Sequence, residues 1–158
     1  MRLREFITEF RQSLGQYLKQ QFPTWPDYVV RDLMYPQAKG AKNQEELQEI
    51  ISFIKQEYPV KQWRLETLPI TLDIFNPETQ KRLKERAGGS KNPYGVPRDT
   101  ERHAIQAAMI QTQGVRTEPI IVVRRSDGFE LVEGWHRTIQ HLQAYPDGYT
   151  GPAWVGYL

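Results

Sequence analysis

From Leu3 to Leu18 apolar residues recur every three or four positions, at Leu3, Phe6, Ile7, Phe10, Leu14, Tyr17 and Leu18. That spacing lines them along one stripe and predicts an amphipathic helix, which Pro23 stops. Trp25-Pro26-Asp27 restarts the chain with proline at a first helical position, and Tyr28, Val29, Leu33 and Met34 continue the pattern up to a connector from Pro36 to Gly40. Asn43 followed by Glu46 has the form of a capping box, and the helix it opens buries Leu47, Ile50, Ile51, Ile54 and Tyr58 before Pro59. Stripes of this kind are core patterns before they are cofactor grooves.

The period changes at Gln62. Trp63, Leu65 and Thr67 and then Leu68-Pro69-Ile70-Thr71-Leu72 read as extended chain, with the internal proline pointing to a sheet edge or a bulge. Glu78 to Arg86 reads as a short helix before the Gly88-Gly89-Ser90 break, and Asn92-Pro93-Tyr94-Gly95-Val96-Pro97 as irregular turn structure. A helix capped by Asp99 or Thr100 runs to Gln113 and ends at Gly114, with Ile105, Ala108, Met109 and Thr112 on its apolar face. Pro119-Ile120-Ile121-Val122-Val123 is a buried strand, Ser126-Asp127-Gly128 a tight turn, and Phe129 to Val132 a second strand. A helix to Tyr145 and a last strand from Ala153 to Tyr157 complete the order. The prediction is a small mixed α/β sheet domain over residues 61–158, with a helical N-terminal extension over residues 1–60 packed on it.

Composition narrows the classes. A chain of 158 residues is one domain by length, and no apolar run approaches a membrane span. The N-terminus shows no signal-peptide pattern, and cysteine is absent, which removes disulfides, thiolate zinc sites and cysteine nucleophiles. These features predict a cytoplasmic protein without a membrane partner. Net charge is only +2, but Gln80 to Arg98 carries six bases (Lys81, Arg82, Lys84, Arg86, Lys91, Arg98) against Glu85 alone. That segment is read either as a solvated loop or as a basic flap contacting nucleic acid or another anion.

The chemistry concentrates at Glu133-Gly134-Trp135-His136-Arg137-Thr138, where a strand turns abruptly into a helix. The first amides of a helix lack internal partners and carry the positive end of its dipole, so glycine, histidine and arginine at this point form a phosphate cradle. The competing reading makes Gly134 a tight turn, Trp135 core, and His136 and Arg137 solvated. His103, His136 and His141 are the only histidines, and five-residue spacing on one helix suits no shared metal face.

From Leu68 to Tyr145 the chain resembles the ParB/sulfiredoxin superfamily. The residues that carry the resemblance are Leu68-Pro69-Ile70, the Asn-Pro…Pro-Arg element from Asn92 to Arg98, and the helix ending at Gly114. Glu118 to Val123, the Asp127-Gly128 turn and the Gly-x-x-Arg element at Gly134 to Arg137 complete it. The resemblance implies a nucleotide site in which Gly134, His136 and Arg137 hold phosphate and Arg98 assists, with Trp135 and Thr138 in the same first turn. ATP or CTP, with Mg²⁺, are the cofactors it implies, and DNA is a further partner. Two departures matter: the cysteine that a sulfiredoxin carries in this turn is Trp135 here, and about thirteen residues after Tyr145 leave no helix-turn-helix domain of a DNA clamp.

Two functions follow as expectations. One is a nucleotide-dependent phosphotransferase or a nuclease-like phosphate-ester hydrolase. Glu133 would then orient the nucleophile or hold a metal through water, His136 would act as acid or base, and Glu118 would be a second carboxylate. In the nuclease form the basic segment tracks a backbone, and Tyr94 and Trp135 stack on bases. The other is a non-catalytic module whose N-terminal helices dock a protein partner or a second copy. The overall impression is of a bacteriophage-type protein acting in the host cytoplasm, in DNA metabolism, host takeover or the particle.

Overall fold

The computed structural model describes residues 13–88 and 98–158, apart from the side chains of residues 98–100. The expected apolar positions Leu3, Phe6, Ile7 and Phe10, and Lys91 and Tyr94 of the proline-rich segment, lie outside the described residues. Two compact units result, Met1–Trp63 with Leu158, and Arg64–Tyr157, whereas the sequence pattern puts the division at 60/61.

In the first unit a helix over residues 13–21 (α1) buries Leu14 and Leu18. Helix α2 (Asp27–Val29) passes into a π-helical turn, Val30–Met34, and then into α3 (Tyr35–Ala38). Pro36 therefore lies within a helix and does not open a connector. It is the second residue of α3, directly after the widened π turn. Helix α4 (Gln44–Glu57) is capped by Asn43, whose Oδ1 accepts from the Glu46 N–H at 2.8 Å. The reciprocal bond of the box goes one residue further back, from the Lys42 N–H to Glu46 Oε2 at 2.7 Å. Trp25 joins Phe22 and Trp63, with ring centroids 4.6 and 5.2 Å away.

The second unit is mixed α/β. Its four-stranded sheet runs β1 (Gln62–Ile70), β4 (Tyr149–Tyr157), β2 (Ile120–Arg125), β3 (Gly128–Glu133) in spatial order. β2 is parallel to β4 and antiparallel to β3, to which the Ser126-Asp127 turn joins it. Because β2 lies between two strands, Ile120 to Val123 are all buried, and the run is continuously apolar instead of alternating. Pro69 sits on β1 at the sheet edge, where its missing donor breaks no interior ladder. One sheet face packs Ile70, Val122 and Val155 against Leu83 of α5 (Pro77–Ala87) and Ile139 of α7 (Trp135–Ala144). Asn76 caps α5 by accepting from the Thr79 N–H at 3.0 Å.

Helix α6 (Arg98–Gln113) ends at Gly114, whose φ is +93°. Asp99 and Thr100 already lie within the described helix, so neither is its cap. Its buried face also differs from the expected one. Ile105 is 62% exposed, and Ala108, Met109 and Thr112 are exposed beside it, while Ile110 is 3% exposed and His103 and Ala107 are buried. The buried stripe 103/107/110 keeps helical spacing but begins with a polar residue, and an apolar count passes over it. Ala107 and Ile110 pack against Ala144 of α7, and Gln111 Nε2 donates to the Ala144 carbonyl at 2.8 Å.

Candidate functional site

The expected turn is built by an irregularity in the sheet. Along β2–β3, Ile121 pairs with Glu133 but the next residue, Val122, pairs with Leu131, so Val132 is an extra residue in β3. Such a bulge bends the strand end and re-aims the residues after it. Gly134 follows with φ +96° as the N-cap of α7. A Cβ there would lie 2.8 Å from Ile120 Cγ2, so glycine is required both by the backbone angle and by the approach to β2. The first helical bond of α7 is from the Thr138 N–H to the Gly134 carbonyl, which leaves the amides of Trp135, His136 and Arg137 without intrahelical acceptors.

These residues open onto a cavity of about 520 Å³. Its walls include Arg86 from α5, Arg102 from α6, Arg116 from the loop before β2, and Arg137 from α7. Among the described residues Glu133 is the one carboxylate in the lining, so their formal excess is three positive charges. Gln140 lies one turn below His136, is 4% exposed, and its buried Oε1 has no hydrogen-bond partner. An amide left unmatched beside a polar cavity is a cost of burial that a bound ligand can relieve by reorienting it.

The individual roles differ. Arg137 donates from Nη1 to the carbonyls of Glu118 and Pro119, at 3.0 and 2.8 Å, and thus ties the lead into β2 to α7 while facing the cavity. Trp135 is half-buried against the sheet core, with the Arg86 guanidinium 4.5 Å above its ring, so a stacking base would have to displace Arg86. His136 is exposed at the cavity, and its Nδ1 is 2.9 Å from Nε2 of buried His103.

Several expected contributors stand elsewhere. Thr138 is fully buried and its hydroxyl donates to the Gly134 carbonyl at 2.9 Å, so it seals the turn from behind and does not line the cavity. Glu118 contributes its carbonyl, not its carboxylate. Among the described side chains of the basic segment only Arg86 reaches the cavity: Lys81 is exposed elsewhere on α5, Arg82 pairs with Glu78 at 3.1 Å, and Lys84 borders a separate apolar pocket between α5 and α7. Arg98 opens α6, and its side chain lies outside the described residues, as does all of Lys91.

The sequence pattern does not single out Arg102, Arg116, Gln140 or the pairing of His103. Gln140 was legible in principle, because positions 136, 137 and 140 share one face of a helix. Arg116 is brought in by its backbone. Its N–H donates to His141 Nε2 at 3.0 Å, while His141 Nδ1–H donates to the Arg137 carbonyl at 2.7 Å. Those two bonds require a neutral imidazole with its hydrogen on Nδ1, and burial lowers the His141 pKa accordingly. Tyr149, stacked on that ring at 4.7 Å, has its hydroxyl pKa pushed up to about 12 by burial.

Among the described residues no group of three or more histidine, aspartate or glutamate side chains converges. Nor is any described helix long and apolar enough to cross a membrane. No protein-family model matches this sequence, and neither the comparison with curated proteins nor that with solved structures gives a match.

Proposed function

We propose that the cavity at the start of α7 binds the phosphate groups of a nucleotide or a related phosphorylated ligand, in a domain of ParB/sulfiredoxin type. The observation that carries this reading is the convergence of four arginines, from four separate parts of the fold, on the free amides of one helix start. Arginine presents a planar fork of donors suited to phosphate oxygens, and the helix dipole adds to the attraction. A solvated helix start would need neither the cluster nor the glycine pressed against Ile120.

The reaction class this reading favours is phosphoryl transfer or phosphate-ester hydrolysis. Glu133, which lines the cavity, would take the proton of an attacking hydroxyl or water. His136 can donate one to the departing oxygen, while the arginines neutralise charge growing on the phosphoryl oxygens. Mg²⁺, where the reaction uses it, would arrive with the ligand's phosphates, since Glu133 is the only carboxylate among the described residues that line the cavity.

The test is calorimetric titration of the full chain with ATP, CTP, ADP and pyrophosphate, with and without Mg²⁺, followed by chromatography of the incubated nucleotide. Saturable binding with product formation that Glu133→Gln removes supports the enzymatic reading. Saturable binding with no product in any condition replaces it with a nucleotide-binding module. Absence of binding by every one of these ligands overturns the site.

A further inference from the structure

His103 has no part in the cavity lining, yet it is 2% exposed and its Nε2 meets Nδ1 of cavity-lining His136 at 2.9 Å. At that separation only one hydrogen fits between the two nitrogens. A pair with both rings protonated would place two N–H groups head to head and two cations in contact, so the pair holds at most one positive charge. The ring that can carry it is His136, which is exposed at the cavity, because charging the buried ring of His103 would forfeit hydration.

We infer that His103 is a positioning residue that makes anion binding at this site take up a proton. In the charged state His136 Nδ1–H donates to the lone pair of His103 Nε2, and the added proton, drawn from solvent, sits on His136 Nε2 facing the cavity. Among the described residues, the charged groups facing that position are Arg86 from α5, Arg102 from α6, Arg116 from the β2 lead, Arg137 from α7 and Glu133 from β3. A bound dianion places negative charge against His136 Nε2 and favours the imidazolium there. His103 supplies the fixed acceptor that orients the ring for this uptake. The inference rests on the phosphate reading above and deepens it: the preferred ligand carries a fully ionised phosphate or an equivalent tetrahedral dianion, and binding strengthens as pH falls through the histidine range.

The probe is sulfate, which does not itself titrate near neutral pH, so any proton taken up belongs to the protein. The chain has three histidines, and their Cε1–H resonances can be followed by NMR from pH 5 to pH 9, with and without sulfate. The expected result is that sulfate raises the His136 midpoint by about one unit, equivalent to about tenfold tighter binding at the acid limit than at the alkaline one. His141, fixed as a neutral ring by two backbone partners, stays unshifted. In His103→Leu the sulfate-induced rise of His136 disappears, whereas His103→Gln, whose amide oxygen can replace the Nε2 acceptor, keeps most of it. Sulfate binding with an unmoved His136 midpoint overturns the inference and leaves the phosphate site standing. An equal rise in His103→Leu overturns the role of His103. Failure of both sulfate and pyrophosphate to bind overturns the inference and the phosphate reading together.

Discussion

Helices α6 and α7 both contribute to the cavity, but they are written in the sequence in opposite ways. In α7 the buried positions Thr138, Ile139 and Ala144 follow a strand, a glycine and a change of period, and the pattern points directly at the start of the helix. In α6 the visible apolar stripe, Ile105 and Met109, faces outward, and the buried stripe begins at a histidine. The difference teaches that a helix whose inner face carries site chemistry hides that face from a hydrophobic count. A buried polar residue such as His103 reads as surface until its partner, His136 on another element, is known.

That contrast can be broken most strongly from the inside of α6. Ile110→Ala should cost about 2–5 kcal/mol of unfolding free energy, the range for truncating a packed isoleucine, measured by urea denaturation. If instead its effect is negligible, the inner face of α6 has been misassigned. On α7, Gly134→Ala should cost about 2–4 kcal/mol by combining an αL penalty with overpacking. The new methyl would meet Ile120 Cγ2 at 2.8 Å. Wild-type stability in that variant would show that the turn is looser than described.

A smaller effect is expected from pH. The folded pKa of His141 lies below the ordinary value of 6.5, because burial disfavours the imidazolium. The unfolded chain therefore binds the proton first as pH falls. The stabilisation from the neutral ring is complete above 6.5 and is lost as pH drops from there towards the lower folded value. Thermal melts from pH 8 to pH 5 should show a steeper decline in the parent than in His141→Gln, and parallel curves would remove His141 from this role. Smallest of all, Ile105→Ala and Met109→Ala should each change stability by no more than about 0.5 kcal/mol, as exposed positions do. A large loss at either would mean that the outer face of α6 is covered in solution.

The sheet domain was legible because its signals are local. The β-branched run into β2, the Asp127-Gly128 turn and Asn76 before α5 each act within a few residues. Pro69 likewise announced an edge strand through a missing donor. The continuation of helix through Pro36 was not legible, because a π turn is a packing adjustment with no composition of its own. At the site, the turn at Gly134 and the place of His136 and Arg137 at the start of a helix could be read from sequence alone. The arginines around them could not: Arg116 depends on a bond to His141 twenty-five residues on, and Arg102 on the orientation of α6. Thr138 was misread because a hydroxyl in a first turn suits phosphate as well as it suits its own helix, and only burial separates the two.

The most direct test of the account sets cavity arginine against surface arginine. Arg102 lines the cavity and has no hydrogen bond or ion pair to a described residue, so its removal leaves the fold alone, while Arg82 is paired with Glu78 on α5 and does not line the cavity. Titration of ATP into the parent, Arg102→Ala and Arg82→Ala under identical salt should show saturable binding by the parent. The account predicts a loss of about tenfold or more in Arg102→Ala, the scale of a lost charge-assisted bond, and an unchanged Arg82→Ala. Equal affinity in all three proteins, or no binding by the parent, would contradict it.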